Sequence, residues 1–345
     1  NNKFNNANFT ICSLNPKYTK EMLESYDLSV DILDKSKKNT QFIMQFYKIM
    51  ISSDLYIYGG GSAFRDFENA NPIVTHLKLT LIAWLCRTKV IYLSIGVGPI
   101  WKLKSKVSIF LISLFSKIFV RDKRSKELLS KICLKKFDII NDLCFYNQDI
   151  LTNHNIKKNK YKNSIGFALR YWNLRESNLS GIIDFKSIIK DFISKTNYEN
   201  YIFFIMESGN HIPKNDKDFL LDLNIEKSKN VELVNLDISG SLEKIFNDFS
   251  KVEILVGMRL HSLIIGSMIK LPLISIEYDP KINALMTELN LEEFNINLNN
   301  LSSHLLIEKI KDIKKQTYSL NQIFENLESS KNLFFRELMT YDYKN

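Results

Sequence analysis

The amino-acid sequence predicts an α/β protein made of two Rossmann-like, doubly wound domains that face each other across a cleft. Three observations carry this expectation. The chain has 345 residues, more than one hydrophobic core usually supports. Short apolar runs alternate with helical stretches throughout, the pattern of parallel sheets covered on both faces. Between the halves, residues 147 to 163, "NQDILTNHNIKKNKYKN", are polar, basic and without hydrophobic period, as a linker should be. The predicted division is residues 1–155 for a first domain on the acceptor side, 156–300 for a second on the donor side, and 301–345 for a C-terminal helical tail.

Strands of the first domain are expected at Phe9 to Ser13, Asp54 to Tyr58, Val90 to Ile95, Lys117 to Val120 and Asp138 to Ile140, with helices in most of the gaps. The second domain restarts with strands at Ser164 to Leu169, Tyr201 to Met206, Val231 to Leu236, Val252 to Val256 and Leu271 to Ile276. Helical periodicity resumes from Leu301 to about Tyr341.

Apolar residues make up 45% and aromatic residues 12%, ample for packed interiors, so disorder is excluded. Lys and Arg number 47 against 38 Asp and Glu, a formal charge of +9. That balance suits anionic substrates or an anionic membrane face. Much of the lysine reads as an Asn/Lys/Ile bias spread over exposed helices, so nucleic acid is not an expected partner. Cys12, Cys86, Cys133 and Cys144 form no CxxC pair, which indicates neither a zinc site nor a disulfide framework and favours the cytoplasm. The longest apolar run, Val107 to Val120, is interrupted by Ser108, Ser113, Ser116 and Lys117 and falls short of the roughly 20 residues that span a bilayer. The chain opens on "NNKFNNANFT" without a methionine, signal peptide or transit pattern, so a preceding segment is expected.

In an open parallel sheet, ligands sit outside the carboxyl ends of the strands, so the residues just after each strand matter most. In the second domain these are Arg170, Glu207, His211, Asp237, Arg259, His261 and Lys281. The segment "VGMRLHSLIIGSM" sets Arg259 and His261, with Ser262, where a strand turns into a helix over 260 to 269. A crossover from that strand through the helix to the next strand brings Lys281 beside them. Cations converging on free helix N–H groups describe a phosphate or carboxylate site. Each residue alone has a plainer reading, an Arg as a solvated cap or a His as a satisfied surface group.

In the first domain, "DLYIYGGGSAFRD" runs a strand into Gly59, Gly60 and Gly61, where a ligand or the facing domain can approach the backbone. The alternative is a tight turn with no ligand. It is not GxGxxG and no ribose-binding acid follows, which disfavours a dinucleotide. "LSIGVGPI" at 93 to 100 and "IFVRDKRS" at 118 to 125, with Arg121 and Asp122, are two further strand ends on the same edge.

The ordered set "YGGGSAFRD", "SIGVGPI", "FVRDKRS", "GFALR", "VGMRLHSLIIGSM" and "LPLISIEYDPK" resembles the polysaccharide pyruvyl transferase family from about Asp54 to Leu289. The resemblance implies a GT-B-like pair of domains and an enzyme of cell-wall, capsule or exopolysaccharide biosynthesis. It implies phosphoenolpyruvate as donor, a sugar hydroxyl pair as acceptor, and a pyruvate ketal as product. It also implies that Arg259, His261 and Lys281 hold or activate the donor, with Arg170 or Arg121 helping. Family members begin with a strand and an Asn-x-Gly-Asp-type turn ahead of the segment that Phe9 to Ser13 resembles, and neither stands in this chain.

That chemistry calls for several cations, a general acid and a general base. It needs neither metal nor cofactor, with phosphoenolpyruvate as co-substrate. His261 is the residue expected to transfer protons, since its reference pKa lies near 6.5. Asp66, Asp122 and Glu207 are candidates for the base. Gly59 to Gly61, Asp66, Glu207, Arg121, Arg170 and Ser262 are expected to line the substrate site. Two other readings stay open: a GT-B glycosyltransferase using a nucleotide sugar, and a carbohydrate-binding module without catalysis. The acceptor sugar, free or lipid-linked, and the oligomeric state are not legible, and the expected location is the cytoplasm or the inner face of a membrane.

Overall fold

The structure, a computed structural model, describes residues 7–24, 30–36, 39–68, 70–147, 161–171, 185–208, 215–225, 230–236, 241–314 and 329–336. They form two compact units, one of residues up to Leu143 with those from Asn332 onward, the other of Cys144–Lys331. Of the linker stretch, residues 148–160 lie outside the described residues, as do His211 and Asp237.

The first unit runs β1(Thr10–Ser13), α1(Pro16–Glu24), β2(Asp31–Asp34), α2(Asn39–Ser52), β3(Leu55–Gly59), α3(Pro72–Leu85), β4(Lys89–Ile95), α4(Leu103–Phe115), β5(Lys117–Val120), α5(Lys123–Cys133) and β6(Asp138–Ile139). Strands β3-β4-β5-β6 make one parallel sheet, and β1 pairs with β2 in a separate parallel ribbon. Strand β2 was not expected: "DILD" offers two apolar residues between aspartates, too little for a period to show. Strand β4 is buried from Val90 to Ile95, which is why its sequence is continuously apolar rather than alternating.

His76, on α3, is 7% exposed and meets Tyr58 edge-on at 4.5 Å between ring centroids. Its Nδ1 has no hydrogen-bond partner among the described residues. Burial, with a smaller push from the Lys35 charge, lowers its pKa from the usual 6.5 to about 4. A base depressed in the folded state stabilises the fold above pH 6.5 and loses that contribution as pH falls toward 4. The shift corresponds to about 3 kcal/mol. Urea unfolding of the parent should therefore weaken across this window by more than that of His76→Leu; equal pH slopes would refute a neutral, buried His76.

The second unit runs β7(Ser164–Ala168), α6(Phe185–Lys195), β8(Asn200–Ile205), α7(Asp216–Leu223), β9(Val231–Asn235), α8(Leu242–Phe249), β10(Ile254–Gly257), α9(Leu260–Met268), β11(Leu273–Glu277), α10(Pro280–Glu288), β12(Asn295–Asn297) and α11(Ser303–Ile313). All six strands are parallel in the order β12-β11-β10-β7-β8-β9. Four neighbours in that order, β11, β10, β7 and β8, thus present their carboxyl ends side by side. Every residue of β7 and β10 is buried, because helices cover both faces of the sheet. Strand β12, "NIN", escaped the sequence for the same reason as β2. Helix α11 packs on α6 and β11, so the opening of the expected tail belongs to this unit, while residues 315–328 lie outside the described ones.

Candidate active site

The second unit gathers its charged residues at those four adjacent strand ends. Arg259 is the N-cap residue of α9, in extended conformation and without a side-chain cap on the helix. Its side chain turns toward the end of β8. Nε donates to both Asp216 oxygens at 3.1 and 3.0 Å, and Nη2 donates to Glu207 Oε2 at 2.6 Å and also to Asp216 Oδ1. Asp216 opens α7, whose N-cap Asn215 forms a reciprocal capping box with Asp218. It is completely buried. Burial pushes its carboxyl above the usual range, against the pull of Arg259. Burial likewise works against the Arg259 charge, but the hydrogen bonds and charge of Asp216, with those of Glu207, prevail and hold the guanidinium protonated.

Arg170 follows β7, the strand between β10 and β8, and donates from Nη1 to the hydroxyl of Tyr278, which follows β11 on the other side of β10, at 3.1 Å. Its guanidinium carbon lies 5.0 Å from the Tyr278 ring centroid, and Lys281 Nζ lies 5.5 Å from the same centroid. Tyr278 therefore orders two cations at once, by cation–π attraction and a hydrogen bond. Lys281 sits in the first turn of α10, which Asp279 caps by accepting from the Lys281 N–H at 3.1 Å. The Arg170 charge is also felt by Asp216, which ties the two groups into one cluster. His261 stands exposed in the first turn of α9. Three cations against two carboxylates, beside a helix start with no side-chain cap, leave room for an anion.

The cluster departs from the sequence reading in several ways. Arg259 was expected to present its fork to a donor; the Nε and Nη2 edge instead grips Asp216 and Glu207. Glu207, a candidate base, is one arm of that ion pair. Ser262 is fully buried, and its hydroxyl donates to the Arg259 carbonyl at 2.6 Å rather than standing open to a substrate. Asp216 and Tyr278 were missed as partners. The only signals were an acid opening an apolar helix in "NDKDF" and an aromatic before a Pro cap in "YDPK".

In the first unit, Gly60 and Gly61 take φ of 71° and 73°, the left-handed region that favours glycine, as the chain leaves β3. Gly96, just past β4, donates its N–H to the Gly61 carbonyl at 2.8 Å. A Cβ there would lie 2.5 Å from Arg121 Nη2, so a larger residue would displace the guanidinium from where it now lies. Arg121 is 7% exposed and lies between Asp122 and Asp142, each at 3.4 Å. Asp122 also caps α5 through the Ser125 N–H at 2.6 Å. Asp66, expected to bind substrate, receives the N–H groups of Trp101 and Lys102 at 2.8 and 2.7 Å and the Ser105 hydroxyl. Both its oxygens hold the start of α4, a structural role that its place after a glycine turn did not disclose.

The fold is similar to that of UDP-GlcNAc 2-epimerase from Methanocaldococcus jannaschii, with a TM-score of 0.58 and 13% identity over 90% of this chain and 85% of that one. It is equally similar to the Anabaena protein HepE, solved in complex with UDP and glucose, with a TM-score of 0.58 and 11% identity over 96% and 92% of the two chains. At such identities the likeness defines the class, a GT-B-like α/β fold, and nothing further. No curated protein matches the sequence significantly. The polysaccharide pyruvyl transferase family matches residues 1–280, and this chain belongs to that family.

Proposed function

We propose that the protein transfers the enolpyruvyl group of phosphoenolpyruvate to a sugar carrying two hydroxyls, free or lipid-linked, and closes a pyruvate ketal. The observation that carries this reading is the cluster of Arg170, Arg259 and Lys281 at the carboxyl ends of β7, β10 and β11, beside the start of α9. The donor bears a phosphate and a carboxylate, and compact anions of this kind suit guanidinium and ammonium groups gathered at the Tyr278 ring.

In the reaction, C3 of the enol takes a proton and C2 becomes electrophilic. A sugar hydroxyl adds to C2 and gives up its proton; the C2–O bond to phosphate then breaks, and the second hydroxyl adds with loss of its own proton. His261, exposed at the edge of the cluster, is assigned the proton traffic. Arg170 and Lys281 hold the leaving phosphate or the carboxylate. Arg259, fixed by Asp216 and Glu207, sets the position of the α9 start.

Phosphoenolpyruvate should raise the melting temperature of the purified protein, and a UDP- or GDP-sugar should not. The reverse result would replace this reading by that of a nucleotide-sugar glycosyltransferase. Lys281→Met removes one charged contact and should weaken donor binding by about 1–3 kcal/mol in calorimetry, with the fold intact. Unchanged affinity would remove Lys281 from the donor site.

A further inference from the structure

Helix α4 is built inside out. Its buried face carries Ser105, Ser108 and Ser113 together with Ile109 and Ile112, while Leu103, Val107, Phe110 and Leu114 form an apolar stripe in solvent. Their spacing of four, three and four residues keeps them on one helical face. Exposure of Leu103 reaches 76% and of Leu114 59%. The stripe is continued by Trp101, which is exposed ahead of the helix, and by Trp84 and Leu85, exposed at the end of α3. Trp84 and Phe115 join the two helices at 4.8 Å between centroids, along a groove of about 570 Å³.

The segment that builds this face carries charge of one sign, although Lys117 at the groove pairs with Asp138 from β6 at 3.8 Å. From residue 69 to residue 121 the chain contains no Asp or Glu but eight Lys or Arg. Lys104 and Lys106 flank the stripe on its two sides, and Arg87 lies exposed at the groove. Such a face is more apolar than the surface of a water-surrounded monomer normally is. Tryptophan flanking an apolar stripe with lysine beside it matches the boundary between lipid head groups and acyl chains. No helix among the described residues is long and apolar enough to cross a membrane, so the contact suited to this face is lateral.

We propose that the α3–α4 face docks the protein on an anionic lipid surface, with α4 lying in the membrane plane. Because β4 leads into α4 and α4 runs back toward β5, the Trp101–Leu103 end of the stripe lies at the ligand edge of the first sheet. That end is where a membrane-bound sugar would be presented. The docking itself does not depend on the identity of the donor, so it is measured without any substrate.

The test is flotation of the purified chain with vesicles of phosphatidylglycerol and phosphatidylethanolamine, against vesicles of phosphatidylcholine alone. The parent should bind the anionic vesicles and release from them in salt of about 0.5 M, where surface charge is screened. Lys104→Gln with Lys106→Gln should reduce binding about 25-fold, from roughly fivefold per lysine. Val107→Ser, Phe110→Ser and Leu114→Ser together should lower it at least about tenfold, since several buried methylene groups are lost. These side chains are solvent-exposed, so the melting temperature should hold, and the lysine pair tests the same face independently. Equal binding to both vesicle types, or undiminished binding of both variants, overturns the proposal. So does light scattering that shows a dimer dissolved by the apolar substitutions with vesicle binding unchanged, which would make the face a contact between copies of the chain.

Discussion

Replacing His261 by Gln is expected to lower turnover by about 10²- to 10⁴-fold while leaving donor affinity within a few-fold of the parent. His261 is exposed in the first turn of α9, two residues past the N-cap position that Arg259 occupies. Its surroundings are rigid: Arg259 is gripped by Asp216 and Glu207, and the helix behind is buried from Ser262 to Met268. Glutamine keeps the size and a hydrogen-bond donor and acceptor, but cannot take up and release a proton near neutral pH. An interaction needed only as the enol is protonated should fall on kcat and spare binding. Phosphate release in the presence of phosphoenolpyruvate and a panel of sugars reads the first quantity, and calorimetry with phosphoenolpyruvate alone reads the second. Turnover within about threefold of the parent, with donor binding collapsed, would make His261 a ligand and pass proton transfer to a carboxylate. The structure narrows that choice, since Asp66 and Asp122 hold helix starts and Glu207 pairs with Arg259.

What the sequence disclosed was governed by period and by position after a strand. The long apolar strands of both sheets could be read directly, because a parallel strand covered on both faces must be apolar throughout. Strands such as "DILD" and "NIN" are too short to show any pattern. Arg170, Glu207, Arg259, His261 and Lys281 could be named because the carboxyl edge of a parallel sheet is where chain topology leaves side chains free to converge. Their pairing could not be named. Asp216 lies 43 residues from Arg259, and only the adjacency of the β7, β8 and β10 ends brings them together. A sequence gives no sign that an arginine placed to receive an anion already holds two. The buried serines of α4 were misleading in the same way, since they read as interruptions of an apolar run rather than as its inward face.

Removing the Asp216 carboxylate is expected to destabilise the second unit by about 3–5 kcal/mol, because it strands a guanidinium in a partly desolvated site. The Arg259 side chain is 18% exposed and Asp216 is wholly buried, so water replaces the lost partner poorly. Glu207 alone would remain, bound through Nη2, leaving Nε without its two acceptor oxygens. Asp216→Ala also removes an acid from the first turn of α7, a smaller loss of about 0.3–1 kcal/mol from the helix dipole. Asp216→Asn keeps the shape and one acceptor while losing the charge, and should fall between Ala and the parent. The decisive comparison is a double-mutant cycle in urea: Arg259→Met with Asp216→Ala should be more stable than Asp216→Ala alone, since the stranded charge is gone. Strictly additive effects of the two substitutions would show that the ion pair does not hold this end of the sheet, and Arg259 would again be a residue whose fork is open to the donor.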